Sequence, residues 1–150
     1  MNAIHERLEN FREVFSMFSN PLDRFSQLMD MAKNSTDLPD EFQIKDNQIV
    51  GCMSQAWVVT TRNDDGTFRC NTDSDAQLVK GLLTILETIF KNLHTEEILE
   101  VDSHHILENI GLGDSITSQR TNGFLNAVNK IKSQVIEKEK QLESNGYANE

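Results

Sequence analysis

Cysteine and proline are scarce in this chain, with two of each among 150 residues. So few thiols rule out a disulfide framework. Cys52 and Cys70, 18 residues apart and without a CxxC pair, also make a poor zinc site. Basic residues are short as well: 14 Lys and Arg stand against 24 Asp and Glu, for a formal net charge of −10. That balance argues against a nucleic-acid partner, because phosphate binding needs clustered cations. No stretch approaches the roughly 18 consecutive apolar residues of a membrane span. Residues 1–7 lack a basic start followed by an apolar run, so no signal peptide is expected. Neither GxGxxG nor GxxxxGK occurs, which leaves dinucleotide and P-loop sites without a motif. The expectation is a soluble cytoplasmic protein that binds neither nucleic acid nor membrane. Nothing in the sequence asks for a metal or a cofactor, or for more than a monomer.

What is present reads as one ordinary domain over residues 1–143, with a polar, disordered tail at 144–150. Ile4, Leu8, Phe11, Phe15 and Phe18 follow a 4-3-4-3 spacing, which predicts an amphipathic helix. Asn20 is placed to cap a second helix with Pro21 at its first position and Leu22, Phe25, Leu28, Met29 and Ala32 turned inward. A short strand at residues 48–50 precedes Gly51. Residues 56–62 are rich in β-branched and aromatic types, Asn63-Asp64-Asp65-Gly66 is a turn signal, and residues 67–71 alternate. Together these predict a β-hairpin.

Thr72-Asp73-Ser74-Asp75 offers caps for a long helix whose inward face is Leu78, Val79, Leu82, Leu86, Ile89, Phe90 and Leu93. Lys80 and Gly81 fall inside it, where the glycine marks close packing. Thr95 caps a short helix, and Asp102 or Ser103 another that ends near Gly111. A last helix carries the stripe Phe124, Val128, Ile131 and Val135. The order helices, hairpin, helices predicts an α+β fold, with a small antiparallel sheet of about three strands covered by helices.

Chemistry concentrates at Gly51-Cys52-Met53-Ser54-Gln55-Ala56-Trp57. A glycine before the thiol permits a sharp backbone turn, and a rigid hairpin begins just after it. A thiol at such a loop tip is well placed to meet a partner, and the thiolate is its reactive form. A free cysteine is also often a small buried hydrophobe, and Cys70, on one strand face with Phe68, reads that way. Asp75 reads as a first-turn acid or a tuner of the Cys52 loop. Arg120 opens the last helix, where the helix dipole disfavours a cation, so it pairs with Asp73 or Asp75 or lies near the thiol. Ser54 and Gln55 satisfy loop backbone, Trp57 anchors the core, and His104 and His105 lie on the surface. Three uses of Cys52 stay open on these grounds. It could be a nucleophile with His94, His104 or His105 as base, part of a cysteine-poor iron–sulfur scaffold, or inert within an interaction module.

Three blocks carry a family resemblance. Gly51-Cys52-Met53-Ser54-Gln55-Ala56-Trp57 resembles the G-C-x-S-x-x-W signature of the SufE family of sulfur acceptors. Asp73-Ser74-Asp75-Ala76-Gln77-Leu78-Val79-Lys80-Gly81-Leu82 resembles its D-S-D-A-x-[IL]-V-[KR]-G-L segment, and Ser118-Gln119-Arg120-Thr121-Asn122-Gly123-Phe124 its S-x-R-x-x-G-[LF] segment. The blocks stand in the family's order over about residues 20 to 135. Phe124 stands where Leu is common.

The resemblance implies an α+β fold like that of the IscU-type scaffolds. It also implies a pyridoxal-phosphate cysteine desulfurase, of the SufS or CsdA type, as partner. Cys52 would take persulfide sulfur from that enzyme, stimulate it, and pass the sulfur to an iron–sulfur scaffold, with no cofactor of its own. Gly51, Ser54, Asp75 and Arg120 would support the cysteine or the docking. A persulfide is easily reduced or over-oxidised, so an apolar pocket is expected to shelter it, lined by Met53, Trp57 and the helix stripes.

Overall fold

A computed structural model describes residues 2–51 and 54–148 of the chain. The first two helices, α1 (Asn2–Ser16) and α2 (Pro21–Lys33), form where the apolar spacing and the caps predict them. Leu8 and Phe15 of α1 are buried, while Phe18 lies just past its end. The Asn20 side chain accepts the Leu22 N–H at 2.9 Å, and Pro21 occupies the first helical position, where its missing N–H costs nothing. Leu28 and Ala32 face the core, but Leu22 does not. It is 68% exposed, because the first turn of α2 overhangs solvent.

After two short 3-10 turns, Asp40–Phe42 and Lys45–Asn47, the chain enters the hairpin of β1 (Ala56–Arg62) and β2 (Phe68–Ser74). The strands pair antiparallel, with Val59 opposite Asn71. In the turn, the Asp65 carboxylate accepts the Thr67 hydroxyl at 2.6 Å and the Thr67 N–H at 3.0 Å. These bonds, the hydroxyl's first, hold the Asp65 carboxyl below its ordinary value. The third strand is reduced to one bridge, Gln48 against Trp57. The chain turns away at Val50 and Gly51, so no longer ladder forms.

Helix α3 (Gln77–Phe90) is the centre of the molecule. It touches α1, α2, β2 and α6 (Ser118–Ala148), and Leu82, Leu83, Ile85, Leu86, Ile89 and Phe90 are all buried. A period-3.6 stripe accounts for one face only, and the other is covered because layers lie on both sides. At Gly81 a Cβ would overlap the Leu28 carbonyl oxygen, so α2 and α3 approach here as only glycine allows.

Lys80, one residue earlier, is 4% exposed. Its ammonium donates to the Thr36 carbonyl at 3.0 Å, to the Thr72 carbonyl, and to Glu87 Oε2 at 3.4 Å. Glu87 in turn accepts the Thr72 N–H at 2.9 Å and the Thr72 hydroxyl. The buried charge is thus paired and hydrogen-bonded, the condition under which burial is tolerable.

Two short helices follow, α4 (Thr95–Glu100) and α5 (Ser103–Asn109). Thr95 is the first residue of α4 rather than its cap. His94 takes the cap position, and its N–H donates to Glu97 Oε1 at 2.9 Å. Asp102 caps α5 through the His104 N–H at 3.0 Å. Phe124, Val128, Ile131 and Val135 of α6 are all buried, as the stripe predicts. The helix runs through Ala148 rather than breaking at Ser144; residues 149–150 of the expected tail lie outside the described residues. Among the described residues no helix is long and apolar enough to cross a membrane.

Candidate functional site

Cys52 and Met53 lie outside the described residues, and the chain is held on both sides of them, on a leading arm before Cys52 and a trailing arm after Met53. On the leading arm, the Ile49 N–H donates to the Ala56 carbonyl at 2.8 Å, and the Ile49 side chain is buried. Val50 is 74% exposed, and its carbonyl accepts a hydrogen bond from the Asn126 side-chain amide of α6 at 2.9 Å. Gly51 has φ +83°, a left-handed conformation that side chains with a Cβ resist. A Cβ there would also overlap the Asn126 side-chain nitrogen.

On the trailing arm, Gln55 is tied down three times. Its N–H donates to Asp75 Oδ1 at 3.1 Å, and its carbonyl accepts from the Ser74 hydroxyl at 2.7 Å and the Asp75 N–H at 3.1 Å.

Asp75 is therefore no helix cap. Helix α3 starts two residues later, with Ala76 at the cap position and no side-chain cap bond; the Ser74 hydroxyl accepts the Ala76 N–H at 3.1 Å. Asp73 is not a cap either. Its carboxylate accepts the Leu38 N–H at 2.9 Å, the Gln43 amide at 3.4 Å and the Ser74 N–H at 2.9 Å. Both carboxylates hold loops that local sequence could not place beside them.

Next to the trailing arm lies a mainly apolar cleft of about 190 Å³, lined by Leu78, Val79 and Leu82 of α3 and Phe124 of α6, with Ser54 and Arg120 also at its wall. Trp57 is buried in the core instead and does not line the cleft. Met53, the other expected lining residue, lies outside the described residues. Arg120 is half-buried in the first turn of α6, and its backbone N–H donates to the Thr117 hydroxyl at 3.4 Å. Among the described residues no carboxylate or other acceptor pairs with its guanidinium. The expected pairing with Asp73 or Asp75 is absent, because those carboxylates are engaged with loop backbone. The Arg120 guanidinium, without an acceptor among the described residues, and the N–H groups opening a helix both favour negative charge at this end of the cleft.

Cys70 is enclosed. Its sulfur lies 3.9 Å from the Leu86 carbonyl oxygen. Burial above all, then the nearby Glu87 carboxylate, pushes its thiol pKa far up, against a smaller downward pull from Lys80. It packs, as its strand face with Phe68 predicts. His94, His104 and His105 are exposed, and none lines the cleft. No cluster of three or more His, Cys, Asp or Glu suited to a metal occurs among the described residues.

Two functional-looking residues escape sequence reasoning. One is Asn126, whose only local signal is an asparagine inside a helix that would favour a better helix former. The other is Glu87, whose pairing with Lys80 is visible only once α3 lies against β2.

A family model described as an Fe-S metabolism associated domain, SufE, matches residues 9–135. The chain is 36% identical over 124 residues to an uncharacterized SufE-like protein of Synechocystis, covering 83% of this chain and 77% of that one. It is 32% identical over 130 residues to an uncharacterized SufE-like protein of Rhizobium meliloti, covering 85% and 93%. The solution structure of a hypothetical protein from Thermus thermophilus has the same fold, with a TM-score of 0.69 at 21% identity over 87% of this chain and 94% of that one. The matched span takes in the hairpin, the arms flanking Cys52, and the Asp75 and Arg120 blocks, and the chain belongs to the SufE family of Fe-S metabolism associated domains.

Proposed function

We propose that this protein accepts sulfur from a pyridoxal-phosphate cysteine desulfurase, stimulates that enzyme, and hands the sulfur on for iron–sulfur cluster assembly. Residues 1–143 act as one sulfur-acceptor domain with Cys52 as the acceptor thiol. The Cys52 thiolate attacks the terminal sulfur of the desulfurase's cysteine persulfide. A new S–S bond forms on Cys52, the old S–S bond breaks, and the desulfurase cysteine leaves as thiolate. The terminal sulfur keeps its proton, so the exchange needs no oxidant and no cofactor in the acceptor.

One observation carries this reading: the segments on either side of Cys52 are fastened at Val50 and Gln55, with an apolar cleft beside Ser54 and an Arg120 guanidinium that no acceptor among the described residues engages. Anchored flanking residues limit the ordering that in-line attack at Cys52 must still supply. An apolar wall keeps reductants from a persulfide, and Arg120 offsets the negative charge that it takes on once it releases that proton to solvent. Gly51, Ser54, Asp75 and Arg120 are the supporting residues, and Cys70 is a bystander.

Mass spectrometry after mixing the protein with a cysteine desulfurase and L-cysteine tests this. Sulfur is expected on Cys52. Cys52→Ser loses both the adduct and the stimulation of desulfurase turnover, while Cys70→Ser keeps both. An adduct on Cys70 alone, or on neither cysteine, refutes the assignment.

A further inference from the structure

We infer that Asn126 is a positioning residue for Cys52, and that Gly51 is a glycine in part because Asn126 stands against it. The inference rests on the sulfur-acceptor reading, and it names a residue outside the three family blocks.

Asparagine is a poor choice for a helix interior, because its side chain competes for backbone hydrogen bonds. Asn126 nevertheless sits in the third turn of α6, with its amide turned to the loop rather than to its own helix. There it donates to the Val50 carbonyl at 2.9 Å, across 76 residues of sequence. Val50 is exposed, and its side chain contributes little to holding this arm. A second observation at the same amide lies one residue on. Gly51 packs so closely on the same amide that a Cβ would overlap the Asn126 nitrogen. The two residues interlock: the missing side chain makes room for the amide, and the amide fastens the carbonyl just before it.

The two arms differ in how they are held. Gln55 is tied by three bonds from two neighbouring residues of one chain segment, Ser74 and Asp75. At Val50 and Gly51, Asn126 supplies the one side-chain hydrogen bond found among the described residues. Its loss leaves the leading arm held only as far as Ile49, whose N–H stays on the Ala56 carbonyl, so the thiol beyond Gly51 is offered to the persulfide in more orientations and the productive one becomes rarer. Binding of the desulfurase would be little affected.

The test uses the full chain as wild type, Asn126→Ala, Asn126→Asp, Gly51→Ala and the double variant Gly51→Ala/Asn126→Ala. Single-turnover sulfur transfer from a persulfide-loaded desulfurase is expected to slow on the order of fivefold in both Asn126 variants, with the half-saturating acceptor concentration unchanged. Alkylation of Cys52 by iodoacetamide, measured without any partner, is expected to change by roughly threefold or more, while buried Cys70 stays unmodified and so reports an intact fold. In the double variant the overlap is gone, so its transfer rate is no lower than that of Gly51→Ala alone; the two losses do not multiply.

Asn126 variants within twofold of wild type in both transfer and alkylation overturn the inference. So does a double variant in which the two losses multiply. If wild type itself takes up no sulfur on Cys52, the sulfur-acceptor reading fails, and the alkylation rates still decide whether Asn126 positions the thiol.

Discussion

Two polar regions of this protein meet at the end of β2 and do opposite work. At Thr72, Lys80 and Glu87 form a buried cluster that binds strand, central helix and the 34–38 loop together. At Ser74 and Asp75, just beyond, the bonds face solvent and fasten Gln55, three residues after Cys52. Hydrogen bonds in water exchange one partner for another at little net gain, whereas a buried charge that loses its partner has no substitute. The first cluster therefore bears on the stability of the fold, and the second on how the segment just after Cys52 is held. Stability and sulfur transfer should separate cleanly when each is cut.

The largest effect is expected from Lys80→Met. It leaves Glu87 facing the interior without its cation, and should cost about 3 kcal/mol in urea unfolding. Sulfur uptake per folded molecule should be unchanged, and a selective loss of uptake would dissolve the distinction between the regions. Gly81→Ala comes next, at about 2 kcal/mol, because a methyl group must push α2 off the Leu28 carbonyl and the gain in helix propensity is smaller than that overlap.

Third is a pH effect from Cys70. Its folded pKa is raised, so the folded chain keeps the proton that the unfolded chain releases. Its contribution is fully present below the ordinary thiol value near 9.0 and is lost as pH rises beyond it, by at most about 1.4 kcal/mol per pH unit. Cys70→Ala should lack this part of the alkaline slope, measured as the difference between the two unfolding curves. The smallest effect on stability belongs to Asp75→Ala, about 1 kcal/mol or less. The same change should slow sulfur transfer severalfold, and equal losses in both would place Asp75 with the structural cluster.

How far these regions could be read in advance follows the same division. Helices announce themselves through apolar spacing and near-neighbour caps, so α1, the Asn20 cap, the hairpin turn and the α6 stripe were all legible. The glycine before Cys52 and the close packing at Gly81 were legible too, because glycine has few other reasons to sit there. The acids at 73 and 75 misled. An acid before a helix resembles a cap, and only the folded chain brings Leu38, Gln43 and Gln55 within reach of their carboxylates. Leu22 misled for the reverse reason, since a position can match the helical period and still overhang the end of the core. Asn126 was invisible, as its partner lies 76 residues away.

The pairing of Lys80 with Glu87 has one more consequence. A two-stranded sheet has two rims, and each bare rim invites another extended chain to add to it. On the outer side of β2, Glu87 takes the Thr72 N–H and Lys80 the Thr72 carbonyl, while Leu93 and Asn92 engage Phe68. Along β1, Ile49 occupies the Ala56 carbonyl and the Gln134 amide the Val58 carbonyl. An ammonium and a carboxylate thus imitate the backbone of an absent neighbour strand, and the smallest of sheets is closed to recruitment at these positions.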